Sequence, residues 1–539
     1  MKEGFRQSMA WLHTWCGLSC GWLLCAIFLT GTLSVFRDPI TQWMQGTPAL
    51  PSAASHAALH EDSLVPHALA QLRQLAPQAR VWRIALPVER GDALTLFWRT
   101  LDGQGQAALD PGSGELLPAP WGRQTEGGRH FMSFHYTLHG GIPGYWLVGW
   151  VSMCGLIALV SGVIVHKRIF LDFFTFRPGK GQRSWLDAHN ATAVLTLPFL
   201  LMIVYTGLAY FSTSYMPAPL QAVYGSDDDA YARYGADLAP TLAARTDAPP
   251  ANALPAYLPD LVQRAALLNG APAQTVVVER PDQPGSTLRV IARAADTGRS
   301  RRLLNPSHSV VFDASTGALL EQHADGSRAT VEARDVEEAI KTLHVAGFGG
   351  WTAKWLYFIS GIAGTLMMAT GTLLFSIKRR RRSEQEFGAA TAGIYRVVEA
   401  FNVAALAGTA LASSAYFYAN RLLPAALDGR AQLEIRAFLW VWAASLAHAV
   451  ARAPARAWVE QLSATALLCL GLPLLNAITT GQHLGVYLAA GALQPAAVEL
   501  TALALGLAFA YAAWRVHRNA ARPAPTPARR GAASPVDTA

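Results

Sequence analysis

The 539-residue chain is 52% hydrophobic and only 15% charged, far more apolar than an ordinary soluble enzyme of its length. This balance excludes a soluble globular protein and predicts an integral membrane protein. The net charge of +8 gathers beside apolar runs, so it reads as membrane topology and gives no case for nucleic-acid binding.

Eight runs of about 20 apolar residues, each long enough to cross roughly 30 Å of hydrocarbon, lie near 11–36, 144–166, 189–211, 353–377, 394–419, 434–452, 457–479 and 496–516. Lys2 and Arg6 precede the first run, as in a secretory signal. The run is too long for that and no small-x-small cleavage site follows it, so it reads as an uncleaved anchor with the N-terminus inside. The basic stretches "HKRIFLDFFTFRPGKGQR" (166–183) and "KRRRR" (378–382), with Arg522, Arg529 and Arg530 in the tail, would then be cytoplasmic. The long polar segments 37–143 and 212–352 fall on the opposite, periplasmic side. Cys16, Cys20, Cys25, Cys154 and Cys469 all lie in the apolar runs, so the polar segments must fold without disulfides. No C-x-x-C-H motif is present to attach a c-type haem covalently.

The first half of the chain is duplicated. "HTWCGLSCGWLLCAIFLTGTL" begins at His13 and "HNATAVLTLPFLLMIVYTGLA" at His189; in both, a Thr-Gly pair starts 17 residues after the histidine. The polar segments alternate apolar and polar residues around Gly, Asp and Pro, which predicts short strands and hairpins. Both contain Asp-x-x-x-Gly-x-Leu-Leu, through Asp110, Gly114, Leu116 and Leu117, and again through Asp313, Gly317, Leu319 and Leu320. Asp and Gly at those places suit a tight turn between strands. "TLHGGIPGYW" (137–146) leads into the second span and "TLHVAGFGGW" (342–351) into the fourth, which puts His139 and His344 in equivalent places. The pairs Thr30-Gly31, Ser161-Gly162, Thr206-Gly207 and Thr370-Gly371 recur near the span ends and read as close helix packing.

This arrangement predicts two histidines at each membrane face: His13 and His189 at the cytoplasmic level, His139 and His344 at the periplasmic level. A single histidine at a helix end is an ordinary capping or interfacial residue. Two on facing helices at one depth are what a b-type haem takes as axial ligands, whereas zinc wants three or four ligands. Two stacked haems would carry electrons across the bilayer. Gly17, Gly140, Gly141 and Ala346 would leave room for the flat ring, and Arg6, Lys167, Arg168 and Arg183 lie where propionates would emerge. His135 and His166 are alternative ligands; the repeat alignment puts Ile340 and Phe375 at their places in the second copy. His448 and His483 have no partner at matching depth and read as structural.

"HTWCGL", the Thr-Gly-x-Leu span ends, the two "TLH" motifs and the paired Asp-x-x-x-Gly-x-Leu-Leu segments together resemble the PepSY-associated transmembrane-helix family over about residues 5–382. That family includes FoxB-type inner-membrane ferrisiderophore reductases. The resemblance implies a two-haem b-type protein of the bacterial inner membrane that passes electrons to ferric siderophore in the periplasm and releases Fe(II). Tyr145, Trp146, Trp351 and Trp355 fall near the periplasmic level, as an interfacial aromatic belt or a docking surface. No Gly-rich nucleotide fingerprint is present, so the electron donor is a quinol or a separate cytoplasmic reductase. Other expectations of the same chain are a haem oxidoreductase with another periplasmic acceptor, or a non-redox component that binds peptide or metal chelate.

The expected fold is an all-α polytopic membrane bundle of about eight helices with two inserted periplasmic α+β modules. Its divisions are helix 1 (1–36), a first PepSY-like module (37–143), helices 2 and 3 with their loop (144–211), a second module (212–352), and helix 4 with its basic end (353–382). Four C-terminal helices (383–518) and a disordered cytoplasmic tail (519–539) follow. That extension departs from the family pattern and suits a homodimer interface, a quinol site or a reductase platform.

Overall fold

The computed structural model describes residues 3–521 apart from 48–49, 51–60, 88–91, 102, 120, 167–181, 228, 232, 235–257, 293–308, 324–332 and 388–391. Lys167, Arg168 and the basic tail residues lie outside the described residues. The chain begins with α1 (Glu3–Ser34) and turns at Phe36 into α2 (Arg37–Gln45), which Gly46 ends in the left-handed conformation at φ +50°. Then come α3 (Glu61–Leu75), β1 (Val81–Ala85), β2 (Leu94–Arg99), β3 (Gln104–Leu109), α4 (Arg129–Thr137), α5 (Gly141–Val165) and α6 (Gln182–Tyr210). The second copy supplies α7 (Leu258–Asn269), β4 (Ala273–Glu279), β5 (Thr287–Ala292), β6 (Ser309–Asp313), β7 (Leu319–His323), α8 (Ala333–His344) and α9 (Gly350–Phe387). The remainder is α10 (Ala392–Leu422), α11 (Arg430–Ala451), α12 (Pro454–Thr480), α13 (Leu484–Ala489) and α14 (Leu493–Ala520).

Eight of these helices are long and apolar enough to cross a membrane, and they coincide with the eight runs read from the sequence. In hydrocarbon a helix satisfies its own backbone polar groups, so greasy segments of this length have few alternatives. Helix α1 packs on α5 and α9, and α6 packs on the same two, which closes a four-helix core. The extension wraps one side of it. Helices α10, α11, α12 and α14 pack on one another, with α10 against α1 and α9 and α14 against α2. Within α10 one turn, Ala404–Gly408, widens to π geometry; the Trp442 indole donates to the Ala404 carbonyl there at 3.1 Å.

The two polar segments each supply strands and a helix, and their sheets are continuous. Their strands join in one seven-stranded antiparallel sheet of order β3-β2-β1-β4-β5-β6-β7. The central pair runs from Val81 opposite Glu279 to Ala85 opposite Thr275, so the two copies meet about a local two-fold axis. Pairing β1 with β4 gives each half-sheet a partner for an edge that would otherwise expose unpaired peptide groups. One face is apolar, with Trp82, Ile84, Leu96, Val276, Val278, Leu288 and Val290 fully buried beneath α3 and α7. The repeated turns are as expected. The Asp110 carboxylate accepts from the Gly112 amide at 2.8 Å, and the Asp313 carboxylate from the Ser315 amide at 2.7 Å. Gly114 and Gly317, four residues on, take φ of +71° and +69°, which a side chain would strain.

Candidate functional site

Four histidines share one local arrangement at the two ends of the core. His13 on α1 places Nδ1 2.8 Å from the Ala158 carbonyl of α5, and His189 on α6 places Nδ1 2.8 Å from the Met367 carbonyl of α9. On the sheet side, His135 on α4 places Nδ1 2.8 Å from the Ile27 carbonyl of α1. His344, the last residue of α8, meets α6 through the Ile203 backbone and the Thr206 hydroxyl, 3.2 Å from Nδ1. Each carbonyl comes four residues before the glycine of a small pair. A carbonyl can only accept, so Nδ1 carries the proton and Nε2 keeps its lone pair.

The glycines explain how the rings reach that depth. A Cβ on Gly162 would stand 2.9 Å from His13 Cε1, one on Gly31 2.6 Å from His135 Nδ1, one on Gly207 2.9 Å from His344 Cε1, and one on Gly371 3.1 Å from His189 Cε1. The small pairs that read as helix packing therefore seat the imidazoles. On the sheet side the His135 and His344 rings lie 6.1 Å apart at 29°. On the opposite side His13 lies 6.4 Å from His189 and 5.9 Å from His166.

His135, and not His139, is thus the ring that faces His344. Helix α4 stops at Thr137, and Leu138 and His139 both take left-handed φ, +52° and +54°. That turn carries His139 back toward its own helix, where its Nε2 lies 2.9 Å from His130 Nδ1 and the two rings stack at 4.9 Å. The "TLH" similarity misaligns the copies by four residues. Counting back from the small pairs gives the register directly, since 27 residues separate His135 from Gly162 and His344 from Gly371. His166 caps α5 beside His13, outside the glycine seats.

Burial controls the charge of the sheet-side rings. His344 is pushed down to about 3 by burial and then by the neighbouring His135. His135 is lowered by burial, against which the Ile27 carbonyl acts in the opposite sense. Burial, and secondarily His139, holds His130 well below the ordinary histidine value. Neutral rings with Nδ1 tied to a carbonyl are oriented nitrogen donors, the outer-sphere arrangement that metal-ligating histidines ordinarily use. Among the described residues no group of three His, Cys, Asp or Glu side chains is placed to hold a metal ion. Two facing donors per level suit a group that brings its own equatorial ligands.

The neighbours are mixed. Arg6 Nη2 donates to the Val165 carbonyl at 3.0 Å, at the His13 end of the core, and Arg183 is exposed near the start of α6. A Cβ on Gly17, one turn beyond His13, would have open space, whereas one on Gly140 would stand 3.3 Å from Gly144 Cα and from the Thr137 carbonyl, in the turn into α5. Tyr145 and Trp146 pack on Tyr215, while Trp351 and Trp355 pack on Phe36. His448 binds Glu460 at 2.8 Å and His483 caps α13, structural places for both.

A buried polar network, unforeseen in the sequence, lies where the extension meets α2 and the 121–128 loop. Arg421 donates to Asn476 at 2.7 Å and to the carbonyls of Met44 and Trp43, with its guanidinium 3.8 Å above the Trp43 ring. Arg430 and Glu434, both wholly buried, pair at 2.5 Å, and Thr125 and Asn420 complete the Glu434 carboxylate. Asn476 binds Glu499 at 2.8 Å and Tyr487 at 2.9 Å. The bonds from Arg421 to Trp43 and Met44 and from Thr125 to Glu434 join residues more than 300 positions apart, which no local pattern shows.

Fold and site define a polytopic membrane protein with a duplicated, histidine-bearing four-helix core beneath a shared sheet. The family model of the PepSY-associated TM region matches residues 10–379, well over half of the chain, and the protein belongs to that family. Helices α10 to α14 lie beyond the matched residues. A comparison with curated proteins finds no match.

Proposed function

We infer that the protein is a di-haem b-type ferric-siderophore reductase of the bacterial inner membrane, with both termini cytoplasmic and the sheet in the periplasm. The observation that carries this reading is the fourfold histidine seat. At each level two neutral imidazoles on different helices are fixed by backbone carbonyls, and their Nε2 atoms remain as donors. His135 with His344, and His13 with His189, would hold the two haems through their Nε2 atoms. Bound haem supplies one-electron transfer between ferric and ferrous iron.

The chain's own residues do the rest. Gly31, Gly162, Gly207 and Gly371 let the rings enter the helix grooves, and the carbonyls of Ile27, Ala158, Ile203 and Met367 fix the tautomer. Tightly packed apolar helices around them keep water away. Siderophores bind ferric iron through hard oxygen donors that hold Fe(II) less strongly, so one electron per iron loosens the complex. The acceptor docks on the periplasmic face, beside the His135–His344 level.

The test is anaerobic reduction of a ferric hydroxamate by dithionite-reduced protein, with ferrozine trapping Fe(II). Wild type is expected to form ferrous complex in step with haem reoxidation. Reduced protein that keeps its electrons in the presence of ferric chelate contradicts the reading.

A further inference from the structure

A cavity of about 470 Å³ lies in the seam between the core and the extension, bounded by α1, α2, α9, α10, α12 and α14. Its volume falls within the roughly 300–1,000 Å³ of small-molecule sites. The wall is mostly apolar, with an aromatic frame of Phe36, Trp355, Phe358 and Phe417. Its exposed members, Trp351 and Trp355 on α9 and Leu493 on α14, put the mouth between two membrane-crossing helices. A ligand that enters there comes from the lipid.

Two further features narrow its chemistry. Gln494 and Thr501 on α14 line the cavity, and among the described residues neither side chain makes a hydrogen bond. Gln494 sits in the first turn of α14, beside the exposed 489–491 loop. Ser413 and Ser414 also line it but donate to carbonyls of their own helix, so Gln494 and Thr501 are the groups with unused capacity, which a ring bearing two oxygens can meet and an acyl chain cannot. The second feature is position. Leu29 and Leu33 of α1 line the cavity, while Ile27 and Gly31 of the same two turns hold His135. The cavity and the His135–His344 pair are thus separated by about one helix thickness, roughly 10 Å.

We propose that this cavity is the electron-donor site and that it takes a lipid-soluble quinol, its ring among the aromatic side chains and its hydroxyls toward Gln494 and Thr501. The proposal rests on the reductase reading and names its donor. The quinol loses two electrons and two protons and leaves as quinone. The electrons pass toward the His135–His344 level and reduce two ferric ions to two ferrous ions, and the protons go to water at the sheet-side surface. Entry at this level makes the His13–His189 pair dispensable for quinol-driven iron reduction.

The experiment uses full-length protein in phosphatidylethanolamine–phosphatidylglycerol vesicles. Decylubiquinone is titrated against tryptophan fluorescence, and decylubiquinol is then added anaerobically while haem absorbance is followed. Wild type is expected to show saturable quenching and rapid reduction. Ala497→Phe, which fills the cavity from its wall, should weaken quenching and slow reduction at least tenfold, and Gln494→Leu several-fold, both with wild-type haem content and dithionite response. Quenching that is unsaturable, or unchanged in Ala497→Phe, overturns the proposal and leaves the cavity a slot for lipid tails. Saturable quenching in protein that binds no haem upholds the quinone site and sinks the reductase reading instead.

Discussion

In the duplicated core each buried imidazole leans on one glycine and one backbone carbonyl, whereas in the extension Arg421, Arg430, Glu434, Asn476 and Glu499 answer one another side chain to side chain. The first arrangement leaves a nitrogen lone pair unused at every ring. The second spends most of its donors and acceptors in joining α10, α11, α12 and α14 to α2 and the 121–128 loop, with Arg430 Nε and Glu499 Oε2 left over. On the proposed reading the core is the region of chemistry, and the polar network is a clamp that fixes the extension to the sheet-side end.

Substitutions can break this contrast. The largest effect is expected from Glu434→Ala, which strands the Arg430 guanidinium in the interior. Loss of one partner from a buried ion pair costs about 3–5 kcal/mol. Thermal unfolding in detergent should show a large drop in midpoint, with the haem content of the folded fraction unchanged. Gly31→Val comes next, at about 1–3 kcal/mol for overpacking, because its side chain takes the space of the His135 ring. It should remove the sheet-side haem alone, and Gly162→Val the opposite one alone, as read from pyridine haemochrome content. Equal loss in both variants would erase the distinction between levels.

A graded effect follows from pH. Folded His344 titrates near 3 against an ordinary 6.5, so between those values the unfolded chain holds a proton that the folded chain lacks. Its contribution to stability is complete above about 6.5 and is lost as pH falls toward 3. Melting temperatures of haem-free protein between pH 8 and 4 should fall on the acid side, and His344→Gln should flatten that limb. The smallest effect is expected from Arg6→Ala, which removes one exposed bond to the Val165 carbonyl. A change in melting midpoint of no more than a degree or two corresponds to about 0.5 kcal/mol for a surface position.

Local pattern made the eight spans, the duplication and the Asp-Gly turns readable from sequence, because each depends on residues close together in the chain. The cysteines gave no false lead. The sheet was harder: strands were readable, but the β1–β4 pairing that merges the two segments joins Val81 to Glu279 and has no local mark. The histidine register failed for a specific reason. "TLH" recurs at 137–139 and 342–344, yet the first copy has already left its helix at Leu138 while the second is helical through His344. The small pairs preserved the true spacing and were read only as packing. The clamp was invisible because its partners, such as Trp43 with Glu499 and Arg123 with Thr479, are brought together by tertiary structure alone.

The most direct test of the central claim is haem stoichiometry with a reduced-minus-oxidised spectrum on purified wild type, His135→Ala and His139→Ala. The seats predict low-spin b-type spectra with about two haems in wild type, one in His135→Ala and two in His139→Ala. No haem in wild type grown with ample iron, or loss in His139→Ala with retention in His135→Ala, would contradict the assignment.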